Sequence, residues 1–224
     1  MEGEGIGLRR RSINQKNIDK YIASGCGQGR GADYKPWLKV QDVPSRGQVN
    51  RIKGWKTGRV DHFFSELELD YFYVLEWSQV VCDIREQYPL LPLTQTQAIA
   101  SECGFRHPAV GRTSELVVMT TDFVVTMRQS IGTTEIARTL KYAKDLQSKR
   151  TLEKLEIERL YWLSRGIDWG IVTEREIPSA LVKNVAWFHP FLSIENLSPL
   201  TEGEIKRIAT CDLKKILDRL SNFT

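Results

Sequence analysis

The stretches of sequence that decide the fold are LVVMTTDFVVT at residues 116–126 and TEIARTLK at residues 134–141. Both carry β-branched residues, which favour extended backbone, so each stretch predicts a β-strand. The residues between them include Gln-Ser-Ile-Gly at 129–132, which is typical of a turn. The two strands are therefore predicted to pair antiparallel as a hairpin.

Helices are predicted before and after this hairpin. Residues 66–78 follow Ser65, a favourable N-cap, and Glu68 completes a capping box with it. Residues 148–164 give the clearest helical pattern. Its apolar residues are interleaved with a Lys154–Glu158 pair at i,i+4, and they lie at helical spacing: Leu152, Leu155, Leu160 and Leu163.

The remaining segments complete a mixed α/β pattern. Residues 80–88 and 169–173 predict strands, 180–188 and 201–220 predict helices, and 93–115 are polar and irregular. The order helix, three strands, helix, strand, helix indicates an α/β core. We expect a basic flexible amino-terminal arm at 1–33, a catalytic domain at 34–173 and a reduced helical carboxy-terminal region at 174–224.

Composition indicates a soluble globular protein. The chain has 224 residues, of which 41% are hydrophobic and 27% charged. It has no apolar run of about 18 residues and no apolar segment of a secretory signal, so neither a membrane span nor export is expected. The four cysteines include no Cys-x-x-Cys pair, so they predict neither structural zinc nor a disulfide framework. The expected location is the cytoplasm.

Positive charge is concentrated near the amino terminus. The net charge is only +4, but only three acidic residues oppose a run of arginines and lysines between residues 8 and 59. This pattern fits either a surface that binds DNA or RNA phosphates or a solubilising basic arm. The side chains we expect to contact DNA are Arg30, Lys35, Lys39, Lys56 and Arg59.

The hairpin also carries a pattern typical of phosphodiester hydrolysis. Asp122 lies in the first strand, and Thr139-Leu140-Lys141 ends the second. A carboxylate and a backbone carbonyl, here that of Leu140, can bind a hard cation such as Mg²⁺. A lysine two residues after Thr139 can stabilise the developing charge. In such sites the preceding helix often adds a glutamate, and Glu68 occupies that place.

Each of these residues also has an ordinary structural explanation. Asp122 fits a turn at a strand end, Glu68 fits the capping box alone, and Lys141 fits a solvated strand-end lysine. The residues by themselves therefore leave the function open. The chain could be a nuclease, including a stand-alone restriction or repair nuclease, or a non-catalytic DNA-binding adaptor with a relic active site.

A family resemblance adds to this pattern. The chain resembles the TnsA family, the endonuclease subunits of heteromeric bacterial transposases, over roughly residues 30–190. The resemblance rests on these segments: GADYKPWLKVQDVPS at 31–45, KTGRVDH at 56–62, SELEL at 65–69, LEW at 75–77, DIREQYPLLP at 83–92, MTTDF at 119–123 and RTLEKLEIERLYW at 150–162, and it reaches Trp169.

The resemblance implies a fold and an activity. The expected fold is a restriction-endonuclease-like core, a mixed central sheet flanked by helices, with a short helical carboxy-terminal appendage. The expected activity is metal-dependent cleavage of double-stranded DNA at the 5′ ends of a transposon, with two Mg²⁺ ions or Mn²⁺ as a substitute. The implied partners are an integrase-type transposase and an AAA+ ATPase regulator, in a bacterial cytoplasm.

The resemblance places the catalytic residues on Glu68, Asp122 and Lys141, and the metal on Glu68, Asp122 and the Leu140 carbonyl. The family has glutamine two residues before the lysine, where this chain has Thr139. Since threonine is shorter, Thr139 is only a possible metal-site residue, and the Leu140 carbonyl is expected to carry more of the coordination.

Overall fold

The computed structural model describes residues 15–42, 48–109, 116–192 and 210. Its helices and strands, in chain order, are α1 (Gln15–Ala23), β1 (Asn50–Lys53), β2 (Val60–Phe63), α2 (Glu66–Trp77), β3 (Val81–Pro89), α3 (Leu93–Glu102), β4 (Thr120–Arg128), β5 (Thr133–Leu140), α4 (Lys149–Leu163), β6 (Asp168–Val172) and α5 (Ser179–Phe188).

The centre of the fold is a mixed sheet of four strands in the order β3-β4-β5-β6. β3 and β5 both pair antiparallel with β4, while β6 runs parallel to β5. The hairpin predicted from residues 116–141 is therefore confirmed, and its turn contains Gly132 with a positive φ. The parallel fourth strand is possible because α4 forms the crossover from β5 to β6.

Side chains pack on both faces of the sheet. Val124 belongs to a buried cluster that includes Tyr161 and Trp162 of α4. The neighbouring Phe123 instead packs against Phe63 and against Tyr71 of α2, with ring centroids 6.1 and 5.6 Å apart. Successive strand residues point to opposite faces, so α4 covers one face and α2 the other.

The buried face of α4 differs from the leucine stripe expected from the sequence. Leu152 and Leu163 are 47% and 60% exposed, whereas Ile157, Tyr161 and Trp162 are buried. Leucine spacing indicated the helix correctly, and Leu155 of this stripe is buried, but the inner face is shifted because Ile157, Tyr161 and Trp162 form most of the packed surface. The orientation of α4 about its own axis matters for function, because it places Glu158 on the buried side of the helix.

Two local elements were absent from the sequence-based expectation. Residues 93–115 read as irregular, yet α3 occupies 93–102 and packs beside α4, where Gln95 donates to Ser164. The β1–β2 hairpin begins within the basic segment and ends just after it, and the sequence pattern there indicated only charge. Both elements are short and polar, so their stability comes from tertiary contacts rather than from a periodic pattern.

The described part of the expected flexible arm is folded. Ile18 of α1 is buried with Trp37 and Val118. The glycine-rich loop after α1 is held by hydrogen bonds, including Gly27 N to Lys35 O at 2.6 Å. Gly27 has a φ of +76°, and a Cβ there would lie 2.3 Å from Cγ of Pro89. Gly27 is therefore needed for a close backbone approach rather than for flexibility.

Replacing Ile18 with alanine should therefore destabilise the fold. We expect a loss of about 2–5 kcal/mol in the free energy of unfolding, as for other buried isoleucines. Ile22 lies on the same helix but is 38% exposed. The Ile22→Ala control should change stability by about 0.5 kcal/mol or less. Urea denaturation of both variants measures the difference, and equal small effects would contradict the packing of α1.

The chain divides into two compact units, Met1–Val182 and Lys183–Thr224. The boundary falls inside α5, whereas the sequence suggested one near residue 173. The helix expected at 201–220 lies outside the described residues apart from residue 210. In the described segments, no helix is both long and apolar enough to cross a membrane.

Candidate active site

The candidate site lies where β5 separates from β4. The paired register between these strands ends at Phe123↔Arg138, and Thr139 and Leu140 pair with β6 instead. At this fork the Leu140 N–H donates to Oδ2 of Asp122 at 2.7 Å. The aspartate side chain thus takes the place of a strand carbonyl, and its position follows from the divergence of the two strands.

Lys141 completes the fork. Its Nζ lies 3.3 Å from Oδ2 of Asp122 and 2.6 Å from the carbonyl oxygen of Leu140. Burial acts to lower the pKa of Lys141, but Asp122 and then Glu158 outweigh it, so the pKa is raised. The lysine is therefore a cation at neutral pH, which suits it to stabilising negative charge rather than accepting a proton.

Glu68 is both a capping residue and a member of the site. Ser65 Oγ accepts from the Glu68 N–H at 3.2 Å and donates to its Oε1 at 2.9 Å, while Phe64 N donates to Oε2 at 3.0 Å. Burial, followed by repulsion from Asp122, raises the pKa of Glu68 to about 7. The capping explanation and the catalytic explanation are thus compatible, because the cap fixes the carboxylate near Asp122.

Glu158 is a further carboxylate beside the site, which the sequence pattern did not reveal. Its Oε1 accepts from the hydroxyls of Thr139 and Thr121 and from the Trp169 indole at 3.1 Å. Burial, then Asp122, raises the pKa of Glu158 to about 7. The i,i+4 spacing from Lys154 resembled a surface pair. The signal that could have indicated burial is the aromatic pair that follows it at residues 161–162.

Thr139, the possible metal-site residue, uses its side chain in a buried contact with Glu158. It is 2% exposed, and its hydroxyl donates to Glu158. The threonine therefore holds the Glu158 carboxylate in place. Asp122 acts on the pKa of Glu158, so this buried pair lies within electrostatic reach of the fork.

Gln87 is a second residue missed by sequence reasoning. It has a φ of +49° within β3, a conformation that is uncommon for residues other than glycine. Its Nε2 donates to Oε2 of Glu68 at 3.4 Å, and its Oε1 accepts from the Thr120 hydroxyl at 3.1 Å. A strained backbone that aims an amide at Glu68 is typical of functional sites.

The side chains expected to contact DNA are in different environments. Arg59 is largely buried and pairs with Glu86 at 2.5 Å and with Asp61 at 2.8 Å. The ammonium of Lys56 donates to the carbonyls of Ser78 and Val81. Both cations are therefore engaged in internal contacts, and we do not retain them as DNA contacts.

The other three expected DNA contacts remain accessible. Arg30 has a 59% exposed side chain although it pairs with Glu135, and Lys35 is exposed although it donates to the Ser24 carbonyl. Lys39 is partly exposed and lines a shallow pocket. These three cations can reach a ligand without breaking a buried ion pair.

The donor atoms at the fork suit a hard divalent cation. Asp122 and Glu68 supply carboxylate oxygens, Leu140 supplies a carbonyl oxygen, and the Lys141 ammonium already lies between two of these donors. Repulsion from Asp122 contributes to the raised pKa of Glu68, and a bound cation would relieve this repulsion. Within the described residues, no group of three or more His, Cys, Asp or Glu side chains is arranged to hold a metal.

Replacing Glu158 with glutamine tests whether the Glu158 carboxyl group holds a proton in the folded protein. A folded-state pKa of about 7 against an ordinary 4.5 means that unfolding releases a proton between these values. The free energy of unfolding of the metal-free protein should then fall as pH rises from about 5 to 8, by up to about 3 kcal/mol from this group.

Glu158→Gln keeps an acceptor at Oε1 but cannot ionise, so its stability relative to wild type should increase over the same pH range. Urea denaturation in a chelator at pH 5 and pH 8 measures this difference. Thr151→Ala, in the first turn of the same helix, serves as a control with no expected change in pH dependence. A difference between Glu158→Gln and wild type that is constant with pH would contradict a buried protonated Glu158.

The fold and the site together define a restriction-endonuclease-like domain, a mixed α/β sheet with an aspartate and a lysine at a strand fork and a glutamate from a flanking helix. Residues 78–174 match the family model described as TnsA-like endonuclease N terminal. The chain belongs to this TnsA-like family. Asp122 and Lys141 lie inside the matched segment, and Glu68 lies before it.

A curated relative is the transposon Tn7 transposition protein TnsA of Escherichia coli. The two sequences are 46% identical over 178 residues, which cover 80% of this chain and 64% of the relative. The chain thus spans a little under two thirds of the length of the relative. The aligned region is long enough to include most of the described fold.

Proposed function

We propose that the protein is the DNA endonuclease subunit of a transposase, and that it hydrolyses phosphodiester bonds at the 5′ ends of a transposon. The observation that carries this proposal is the fork at which Asp122 meets Lys141 beside Glu68, within a TnsA-like domain. Carboxylates alone could be structural, but a cationic lysine held between an aspartate and a strand-end carbonyl suits phosphate chemistry.

In this proposal the side chains have separate tasks. Asp122, Glu68 and the Leu140 carbonyl would hold Mg²⁺, or Mn²⁺ as a substitute, and the ion would act as a Lewis acid and lower the pKa of the attacking water. Lys141 stabilises the negative charge that develops on the scissile phosphate. We propose one ion at this place, and both this ion and a second one stay predictions.

The neighbouring residues position these groups. Gln87 and the Ser65 cap hold the Glu68 carboxylate from two directions. Glu158 lies behind the fork, where it is held by Thr139 and contributes to the raised pKa of Lys141. The pKa values of about 7 for Glu68 and Glu158 imply that metal binding displaces protons, so metal affinity should rise with pH near neutrality.

The partners follow from the same proposal. The substrate is double-stranded DNA at transposon ends, and the exposed cations Arg30, Lys35 and Lys39 would contact its phosphates. An integrase-type transposase subunit would cut and join the 3′ ends, and an AAA+ ATPase would regulate the complex. The similarity to the Escherichia coli protein, whose name describes a transposition protein, supports a role in transposition. The ATPase regulator and the division of the cuts between subunits stay predictions.

A cleavage assay separates this function from its alternatives. Labelled transposon-end DNA is incubated with the full chain in Mg²⁺, with and without the partner transposase. Cleavage only with the partner supports a transposase subunit, whereas efficient cleavage by the chain alone supports a stand-alone nuclease. DNA binding without cleavage under either condition, over a full titration of Mg²⁺ and Mn²⁺, would indicate a non-catalytic adaptor and overturn the proposal.

A further inference from the structure

A basic pocket lies beside the first turns of α4, and none of its lining residues belongs to the fork. Its volume is about 240 Å³, and it is lined by Arg106, His107, Pro108, Ala109, Arg150 and Lys154. Of the described residues that line it, three carry a permanent positive charge and none carries a carboxylate. Such a pocket favours an anionic ligand.

The helix connects this pocket to the candidate active site. Arg150, Lys154 and Glu158 follow one another at i, i+4 and i+8 along α4, so they lie along neighbouring parts of one helix face. At 1.5 Å per residue, Lys154 is about 6 Å and Arg150 about 12 Å from Glu158 along the helix axis. Glu158 is the carboxylate behind the fork, so Lys154 and then Arg150 lie at increasing distances from the site along the helix.

The electrostatics agree with this arrangement. Burial lowers the pKa of Lys154, and repulsion first from Arg150 and then from Lys141 lowers it further. The Lys154 ammonium is therefore repelled both by Arg150 of the pocket and by Lys141 of the candidate active site. Arg150 also pairs with Glu153 at 2.9 Å, but this pair is partly exposed and competes only weakly with a phosphate.

We propose that Arg106, Arg150 and Lys154 form a phosphate subsite for the DNA strand that leaves the active site. Along one strand of B-form DNA, nucleotides are spaced about 3.4 Å along the axis. The 12 Å from Glu158 to Arg150 then corresponds to about three to four nucleotides. The subsite holds the backbone and sets the position of the scissile phosphate without reading sequence.

This inference rests on the proposed nuclease function, and a salt titration tests it separately. The Arg150→Ala/Lys154→Ala double variant removes one partly exposed and one exposed cation from α4. If both contact phosphates, the slope of log affinity against log salt should become shallower by about 1.8. The ratio of DNA affinities at 50 and 200 mM salt should then shrink about twelvefold.

The experiment uses the full chain and a transposon-end duplex, with the partner transposase if wild type needs it to cut. Arg159→Ala is the matched control, because Arg159 lies on α4 outside the pocket and pairs with Glu156. This control should leave the slope nearly unchanged. The double variant should also shift cleavage positions or raise the DNA concentration for half-maximal rate more than it lowers the maximal rate.

Three outcomes would overturn the subsite. If wild type cuts and binds DNA but the double variant has the wild-type slope, the subsite is wrong while the proposed function stands. If the slope is unchanged but assembly with the partner transposase is lost, the pocket is a protein-binding surface instead. If wild type neither binds nor cuts the duplex under any condition, the proposed function and the subsite both fail.

Discussion

Asp122→Ala is expected to abolish DNA cleavage, lowering the rate by about a thousandfold or more. The aspartate joins both halves of the fork, since Oδ2 accepts from the Leu140 N–H at 2.7 Å and lies 3.3 Å from the Lys141 ammonium. Losing a carboxylate that would bind the metal removes several kcal/mol of charge stabilisation, and about 4 kcal/mol corresponds to a thousandfold.

The asparagine variant separates catalysis from folding. Asp122→Asn keeps an oxygen that can accept from Leu140 N–H but loses the negative charge. Asp122→Ala leaves that N–H without its acceptor, which costs about 1–3 kcal/mol when the group is buried. Both variants should lose cleavage, and the asparagine variant should retain more stability.

Cleavage of labelled duplex, urea denaturation and Mn²⁺ titration by calorimetry measure these three properties. Metal affinity should fall in both variants. Because Asp122 raises the pKa values of Glu68 and Glu158, both pKa values should also fall when the charge is removed. Cleavage by Asp122→Asn at the wild-type rate in Mg²⁺ would show that the site is misplaced.

Lys141→Ala is expected to stop cleavage while DNA binding and complex assembly remain. The ammonium lies beside Asp122 and the Leu140 carbonyl, where it would face the scissile phosphate. Losing a positioned donor of this kind lowers rates by about 10²–10³. Lys144→Ala is the matched control, since Lys144 lies three residues further along the chain in an exposed turn and contacts the Tyr142 ring instead of the fork.

The change in product provides the clearest measurement. If a partner transposase makes the 3′ cuts with its own active site, these should continue in the Lys141→Ala variant. An element joined only through its 3′ ends stays attached to the donor, and replication then gives a cointegrate instead of a simple insertion. The ratio of cointegrates to simple insertions in cells should rise. A wild-type ratio, with the variant present at a normal level, would contradict the role of Lys141.

The sequence correctly indicated most of the structural frame. The β-branched run around Asp122 and the turn after it were enough to predict the β4–β5 hairpin, because local conformational preference and alternation agree there. The capping box at Ser65 was equally local, and it identified both the start of α2 and the carboxylate of Glu68. The family resemblance added the restriction-endonuclease-like fold, which the mixed sheet agrees with.

Longer-range properties could not be obtained in this way. Leu152 and Leu163 suggested one face of α4, yet the helix buries Tyr161 and Trp162 against aliphatic residues that include Val124 and Ala137 of the sheet. Charge alone gave the same interpretation to Arg30 and Arg59, although one is exposed and the other is buried between Asp61 and Glu86. Burial depends on neighbours distant in sequence, which residue type does not specify.

The sequence by itself determined the strands of the central sheet, the turn, the cap and the residue types available for chemistry, because these depend on contacts within a few residues. Only the tertiary structure decided that β5 leaves β4 at Phe123↔Arg138 and continues beside β6. That fork leaves the Leu140 N–H to Asp122 and brings Lys141 to the same carboxylate. The inward turn of α4 then adds Glu158 behind the fork, since packing rather than local preference sets the rotation of a helix.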